Sequence, residues 1–201
     1  MAAHDSLKLL NRASFVLSAP THHGLPADNG SEVAFAGRSN AGKSSALNAL
    51  TGQSTLARVS KTPGRTQHLV VFEIDPARRL IDLPGYGFAK VPLAVRNAWG
   101  VAMENYFRER QSLRGLVICM DIRRPLTEFD RIMLDFCAAR GLDCQILLSK
   151  ADKLSRGAGL NTLQAVRKAL LEGGLTASVQ VFSAHAGTGV DEARSWVVAR
   201  L

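Results

Sequence analysis

Residues 37–44 read Gly-Arg-Ser-Asn-Ala-Gly-Lys-Ser, which satisfies the G-x-x-x-x-G-K-[ST] pattern of a phosphate-binding loop. The apolar run Val33-Ala34-Phe35-Ala36 leads in with strand character, and Ser45-Ala46-Leu47-Asn48-Ala49-Leu50 leads out with helical character. That is the context the pattern requires. Backbone N–H groups of such a loop, with the helix N-terminus behind them, point at phosphate oxygens. Lys43 is placed to reach the β- and γ-phosphates, and the Ser44 hydroxyl to ligate Mg²⁺. By itself the loop is compatible with a kinase, an ATPase or a GTPase.

Three later segments narrow the chemistry. Asp82-Leu83-Pro84-Gly85 is a D-x-x-G at the end of an apolar run. The Asp82 carboxylate suits a water-mediated bond to Mg²⁺, and the Gly85 N–H suits a γ-phosphate. Ile146-Leu147-Leu148 delivers Ser149-Lys150-Ala151-Asp152. A carboxylate at Asp152 accepts from guanine N1–H and the 2-amino group. Adenine lacks both donors, and an unpaired buried carboxylate costs more than the ~1–3 kcal/mol of a neutral group. Val181-Phe182-Ser183-Ala184 ends another run and brings a backbone N–H toward guanine O6. Each tetrapeptide is weak alone; four in this order, each ending a strand, indicate a guanine-nucleotide site. Between them, Lys61-Thr62-Pro63-Gly64-Arg65-Thr66-Gln67-His68 reads as a loop. A threonine there can add a second hydroxyl to Mg²⁺ and order the loop around a γ-phosphate, or it can simply stabilise a turn.

Phe35 to Ser45, Thr62 to Gln67, and Asp82-Leu83-Pro84-Gly85-Tyr86-Gly87-Phe88-Ala89 together resemble the EngB/YihA/YsxC ribosome-biogenesis GTPases of bacteria, from about residue 10 to the C-terminus. The resemblance implies a single G domain with slow GTP hydrolysis, assisting assembly of the large ribosomal subunit and linked to septation and cell division. It selects Thr66 over Thr62, so the implied Mg²⁺ ligands are Ser44, Thr66 and Asp82. Lys43, Thr66, Gly85 and Asn40 are the implied catalytic groups. The implied GTP contacts are Gly37, Arg38, Ser39, Asn40, Ala41, Gly42, Lys43 and Ser44, then Gly64, Arg65, Thr66, Gln67 and His68. Asp82, Leu83, Pro84 and Gly85 follow, with Ser149, Lys150, Ala151 and Asp152, and Val181, Phe182, Ser183 and Ala184. Ala41 replaces the commoner Val, which changes volume but no polar group. Ser149 stands where GTPases generally carry an Asn whose amide bridges neighbouring loops, so a looser grip on the base is expected. Tyr86 follows Gly85 where many regulatory GTPases carry a water-orienting Gln; a Tyr ring cannot do that task in the same way. Asn40 resembles the residue that helps hold K⁺ in potassium-activated GTPases, where the cation supplies charge as an arginine finger does. The alternative is that Asn40 only shapes the loop through side-chain-to-backbone bonds.

The elements that must position these residues are legible as periodicities. Strands are predicted near 32–37, 69–74, 79–82, 114–121, 144–149 and 178–183. Helical apolar stripes run through Val95, Trp99, Met103 and Tyr106 or Phe107, and through Phe129, Ile132, Met133 and Phe136 with Thr127 as N-cap. Two more run through Leu160, Leu163, Val166 and Leu170, and through Val190, Ala193, Trp196 and Val197. Alternating strands and helices predict an α/β P-loop NTPase G domain. Its sheet should be six-stranded and mostly parallel, with helices on both faces. Asp75-Pro76-Ala77-Arg78 reads as a hairpin, which makes one edge strand antiparallel. Both tryptophans are expected to pack in the core rather than stack on bases. Residues 1–30 read as a partly ordered extension before a G domain at 31–201. His22-His23 has no Cys or carboxylate partner set near it in sequence, so no metal site is expected there.

At 201 residues the chain suits one domain, and 46% hydrophobic with 21% charged residues suits a soluble globular one. No apolar stretch approaches the ~18 residues of a membrane span, and the N-terminus lacks a signal-peptide pattern. Cys119, Cys137 and Cys144 share no C-x-x-C spacing, so buried free thiols in a reducing cytoplasm are expected. The formal charge is +8, with 18 arginines against 7 lysines. That balance favours nucleic acid. Candidate clusters are Arg58-Lys61-Arg65, Arg108-Arg110-Arg114 and Arg123-Arg124. No RNP, KH or zinc pattern follows the G domain, so RNA contact would come from its own surface. The partners expected are GTP/GDP and the large ribosomal subunit or its precursor, with no membrane, and the chain is expected to be a monomer. A switch for a non-ribosomal protein is the alternative, weakened by the charge and by a C-terminus without a lipidation cysteine. A P-loop phosphotransferase is another, opposed by Asp152.

Overall fold

Val33 to Ala36 form the centre of a strand, β2 (Ser31–Gly37), buried at every position after Ser31. A computed structural model describes residues 3–57, 68–86 and 93–201, residues 3 and 93–99 as backbone only. In it β2 pairs in parallel with β4 (Arg78–Asp82) on one side and β5 (Leu113–Asp121) on the other. A strand buried on both faces reads as a continuous apolar run because helices cover both sides. Here Val33 and Phe35 pack with α1 (Ala3–Leu10), α2 (Lys43–Thr51) and α6 (Val190–Val198), through Leu10, Leu47, Leu50, Val190 and Val197. Ala34 and Ala36 face α3 (Leu93–Glu109), α4 (Glu128–Arg140) and α5 (Arg156–Glu172), through Met103, Tyr106, Met133, Leu163 and Val166.

The sheet has seven strands rather than six, in the order β1-β3-β4-β2-β5-β6-β7. The additional one is β1 (Ser14–Ala19), from within the segment expected to precede the sheet. It pairs antiparallel with β3 (Leu69–Asp75), which also runs antiparallel to β4. Thus β3 alone runs against the rest, and it lies one place in from the edge. As an edge strand β1 buries only Ala19 fully and leaves Phe15 and Val16 exposed, so it has no alternating apolar pattern to read. β6 (Asp143–Ser149) and β7 (Ser178–Val181) complete the far side.

Thr127 caps α4 in a capping box with Asp130, as its position suggested. The α5 stripe is shifted: Leu160 is exposed, and Gly159 takes the buried position against Ile122. Trp196 is only partly buried, with the Arg200 guanidinium 3.8 Å over its ring. The side chains of Val95 and Trp99 lie outside the described residues.

Candidate functional site

The phosphate loop starts where β2 can no longer carry a side chain. A Cβ at Gly37 would lie 2.8 Å from the Cys119 carbonyl oxygen of β5, so glycine is required for the strands to stay paired. The loop then turns through left-handed backbone at Asn40 (φ 61) and Gly42 (φ 92) and enters α2 at Lys43. Asn tolerates this region better than most residues. The Lys43 ammonium forms an ion pair with the Asp82 carboxylate at the end of β4, both largely buried. The cation expected at the phosphates and the carboxylate expected on the metal side are thereby brought to one point.

Beyond Asp82 the D-x-x-G segment continues as an extension of the sheet. Leu83 N–H donates to the Phe35 carbonyl at 2.9 Å, and Tyr86 N–H to the Gly37 carbonyl at 3.4 Å. Ser39 N–H in turn donates to the Tyr86 carbonyl at 2.9 Å, a parallel bridge between Arg38 and Tyr86. Gly85 therefore sits against Ser39 of the phosphate loop. The Tyr86 ring is buried, and its hydroxyl donates to Asp130 Oδ1 at 2.6 Å. The other Asp130 oxygen accepts from the Thr127 N–H and hydroxyl, each at 2.8 Å. Burial, then the adjoining Asp130 carboxylate, push the Tyr86 phenol well above its ordinary value. Tyr86 thus ties the end of this segment to the cap of α4.

The residues expected to read the base gather at the ends of β6 and β7. The Ser149 hydroxyl lies within hydrogen-bond range of the Ala41 carbonyl of the phosphate loop and of Met120 O, the latter at 3.0 Å. The bridge ascribed to an Asn amide is therefore made by a serine. Lys150 (φ 58) reaches back to the Asn40 carbonyl and pairs with Asp121 at 3.1 Å. Arg123 above all, joined by Lys150, holds Asp121 well below the usual carboxylate range. Ala151 N–H donates to the Phe182 carbonyl at 3.1 Å, which joins the two base segments beside Val181 and Ala184. Ser183 Oγ donates to Asp152 Oδ1 at 2.7 Å, and Lys153 lies 3.2 Å from its other oxygen. The Ser183 bond, ahead of Lys153, holds the Asp152 carboxyl below its ordinary value, so the group that would read guanine is ionised and oriented.

Gly64, Arg65, Thr66 and Gln67 lie outside the described residues, as do Arg58, Lys61, Thr62 and Gly87 to Ala89. His68 is described, and its Nδ1 lies 3.0 Å from the Ser18 hydroxyl of β1. Of the expected basic clusters, Arg108-Arg110-Arg114 is dispersed. Arg110 is buried on Glu32, at 2.6 and 3.0 Å, and Arg108 pairs with Glu109. Arg123-Arg124 instead lines a cavity of about 430 Å³ on the flank of the phosphate loop, with Arg38, Asn40, Asp130 and Lys150.

Several contacts were beyond sequence reasoning because they join distant segments. Asn48 pins the segment after α2 through Ser54 O, Ala57 O and Ala57 N–H. Arg194 of α6 donates to the Ala49 and Leu50 carbonyls at the end of α2, at 2.7 and 2.9 Å. One premise for His22-His23 needs correction: the end of α3 supplies a carboxylate partner, Glu109, 2.7 Å from His22 Nε2.

A phosphate loop, a D-x-x-G strand end and a carboxylate held by Ser183 and Lys153 on a mostly parallel sheet fit a P-loop GTPase domain. Residues 32–150 match the family described as 50S ribosome-binding GTPase. The chain is 59% identical over 92% of its length to a probable GTP-binding protein EngB of Stenotrophomonas maltophilia (strain K279a), covering 94% of that protein. It is 56% identical over 96% of its length to the corresponding protein of Xanthomonas euvesicatoria pv. vesicatoria (strain 85-10), covering 94% of it. The chain belongs to the EngB family of GTP-binding proteins. Among solved structures, a probable GTP-binding protein engB shares the fold at TM-score 0.67 and 20% identity, over 84% of this chain and 97% of the other. Era in complex with MgGDPNP and nucleotides of 16S ribosomal RNA shares it at TM-score 0.61 and 20% identity, over 86% and 57%.

Proposed function

We propose that this GTPase is a GTP-gated assembly factor that binds the large ribosomal subunit or its precursor in the cytoplasm and releases it after hydrolysis. The observation that carries the reading is the junction of the phosphate loop with the D-x-x-G segment. Tyr86 and Ser39 are hydrogen-bonded across it, so a γ-phosphate sensed at Gly85 would be felt at once by the chain leading into α3. A basic concavity lined by Arg38, Arg123, Arg124 and Lys150 adjoins that junction, and the net charge of +8 supports an RNA-rich partner. The family description names 50S ribosome binding, and Era, a relative in fold, is solved with ribosomal RNA. Among the described residues no helix is long and apolar enough to cross a membrane.

The residues present suit Mg²⁺. Asp82 is a buried carboxylate whose partner, Lys43, is the residue a phosphate would draw away, and Ser44 opens α2 beside it. Ser44 and Asp82, with Thr66 from the switch loop, would hold the ion, which when bound neutralises charge on the phosphates. Lys43 then orients the β- and γ-phosphates, Gly85 N–H holds the γ-phosphate, and Asp152, steadied by Ser183, selects guanine. Gly37 to Ser44 and Gly64 to His68 complete the nucleotide cradle, with Leu83, Pro84, Ser149, Lys150, Ala151, Val181, Phe182 and Ala184. Because the Tyr86 hydroxyl is committed to Asp130, the attacking water lacks a side-chain amide at that position and intrinsic hydrolysis is slow. Asn40 would favour modest stimulation by K⁺; equal rates in KCl and NaCl would remove it from that role.

The test is co-sedimentation of the chain, as monomer, with purified large subunits across a salt series. Binding that is stronger with a nonhydrolysable GTP analogue than with GDP, and that survives physiological salt, is expected. Binding indifferent to nucleotide and lost in modest salt would mean that charge alone attracts RNA.

A further inference from the structure

The histidine pair after β1 becomes a different object once α3 is packed beside it. His22 and His23 lie in a single 3-10 turn, His22–Gly24, with ring centroids 4.0 Å apart. Gly24 lets that turn press on Ala19, because a Cβ there would come within 3.0 Å of the Ala19 Cβ. On the other side, α3 ends at Glu109, whose Oε2 lies 2.7 Å from His22 Nε2. One ligand atom from each of His22, His23 and Glu109 falls within 4.8 Å of the others. The His22 side chain is largely buried, whereas His23 and Glu109 face solvent, so water has access to the same point. Arg108, and after it His22, keep the Glu109 carboxyl below its usual range, so it is an anion in neutral solution.

We propose that His22, His23 and Glu109 form a transition-metal site of the zinc class that clamps the turn after β1 to the end of α3. Two imidazoles and one carboxylate with solvent in the remaining position match a tetrahedral zinc site with three protein ligands. Metal–ligand bonds of about 2.0–2.2 Å put tetrahedral ligand atoms roughly 3.4 Å apart. To reach that value the His22–Glu109 contact must open from 2.7 Å and any wider gap, at most 4.8 Å, must close, which calls for side-chain rotations at the exposed His23 and Glu109. Imidazole nitrogen selects Zn²⁺, Co²⁺, Ni²⁺ or Cu²⁺ over Mg²⁺, which prefers oxygen. The site is thereby separate in chemistry from the nucleotide's Mg²⁺. On binding, the metal takes the place of the hydrogen bond between His22 Nε2 and Glu109, and the imidazole ligates as its other neutral tautomer, with its N–H on Nδ1. Arg108, 2.9 Å from Glu109 Oε1, competes for the carboxylate, but its side chain is 60% exposed and has Asn105 and Glu104 as other partners. The clamp would join the edge of the sheet to the helix that follows the D-x-x-G segment. It depends on neither the ribosomal partner nor GTP hydrolysis.

The experiment uses the full chain without an affinity tag, stripped with a chelator and titrated with Zn²⁺ by calorimetry, and with Co²⁺ by its visible d–d absorption. One equivalent of Zn²⁺, a tetrahedral Co²⁺ spectrum and a raised Tm with Zn²⁺ are expected. All three should be lost in His23→Ala and in Glu109→Gln, and retained in His4→Ala. His23 is exposed and Glu109→Gln preserves shape, so matching melting curves without metal show that both variants fold. No saturable binding would overturn the proposal. So would one equivalent that persists in both variants, or that GDP with excess Mg²⁺ displaces, since either places the ion elsewhere.

Discussion

Asp152 is held in position by two short contacts, from Ser183 and Lys153, before any base arrives. Replacing it by Asn leaves the volume intact but removes an acceptor and the charge that would strengthen the two guanine bonds proposed for it. With charged hydrogen bonds worth roughly 1.5–3 kcal/mol each, Asp152→Asn should weaken GTP binding by about 100-fold or more. Calorimetry with GTP and xanthosine triphosphate checks this; unchanged GTP affinity would exclude Asp152 from base recognition. Ser149→Ala tests the neighbouring bridge. It leaves the Ala41 and Met120 carbonyls without the hydroxyl and should cost ~1–2 kcal/mol in urea unfolding. At this scale the sequence was informative wherever a motif is contiguous, as in residues 37–44, 82–85 and 149–152. It was silent where one side chain steadies another across the chain. Ser183 and Asp152 are 31 residues apart, and no local pattern announces their bond.

Between elements, polar side chains do what periodicity cannot foretell. Glu32, fully buried at the start of β2, is bound by Arg110 just after α3, and Arg79 of β4 lies 3.4 Å from it. Removing one member of a buried ion network leaves uncompensated charge, so Glu32→Ala should destabilise by about 3–5 kcal/mol in chemical denaturation. A loss under 1 kcal/mol would mean that water reaches the arginines. Tyr86→Phe removes one donor from the buried Asp130 and should cost ~1–3 kcal/mol. It should also change the GTPase rate through the released D-x-x-G segment; single-turnover hydrolysis gives the second readout. The helices were readable because their buried stripes recur at helical spacing. Leu160 was misplaced because glycine has no hydropathy signal, yet Gly159 is what fits against Ile122. β1 was missed because an edge strand exposes most of its residues.

For the molecule as a whole, buried acids set an alkaline limit. All three cysteines are buried, and burial pushes the Cys119 thiol from 9.0 to about 12. Below pH 9 the folded and unfolded chains both keep that proton, and its contribution to stability is complete. Between 9 and about 12 the unfolded chain loses the proton while the folded one retains it, so stability falls with rising pH. Tyr86 and Tyr106, raised mainly by burial, extend the loss further up. Asp75, lowered chiefly by Arg78, and Asp152, lowered chiefly by Ser183, act in the opposite sense. Their contribution is present above about pH 4 and is lost as pH falls toward their depressed folded values. Urea midpoints measured from pH 3 to 11 should therefore form a dome, and a thiol reagent at pH 8 should label the native chain only as fast as it opens. A thiol that reacts at once would contradict the burial of all three.

The edge position of β1 bears on the order in which the chain can assemble during synthesis. β1 leaves the ribosomal tunnel about fifty residues before β3, its only strand partner among the described residues, and until then Phe15 and Val16 lack that ladder. The remaining six strands carry at their ends the described parts of the phosphate loop, the D-x-x-G segment and the two segments expected to read the base. β1 is therefore expected to dock late, onto a core that already carries those segments. In native-state hydrogen exchange its amides, and those of β3 that face it, should open together at a lower free energy than β2 or β5. While β1 is undocked, the bare edge of β3 is a strand-pairing surface, so a truncation that removes residues 1–19 should aggregate before it loses GTP binding.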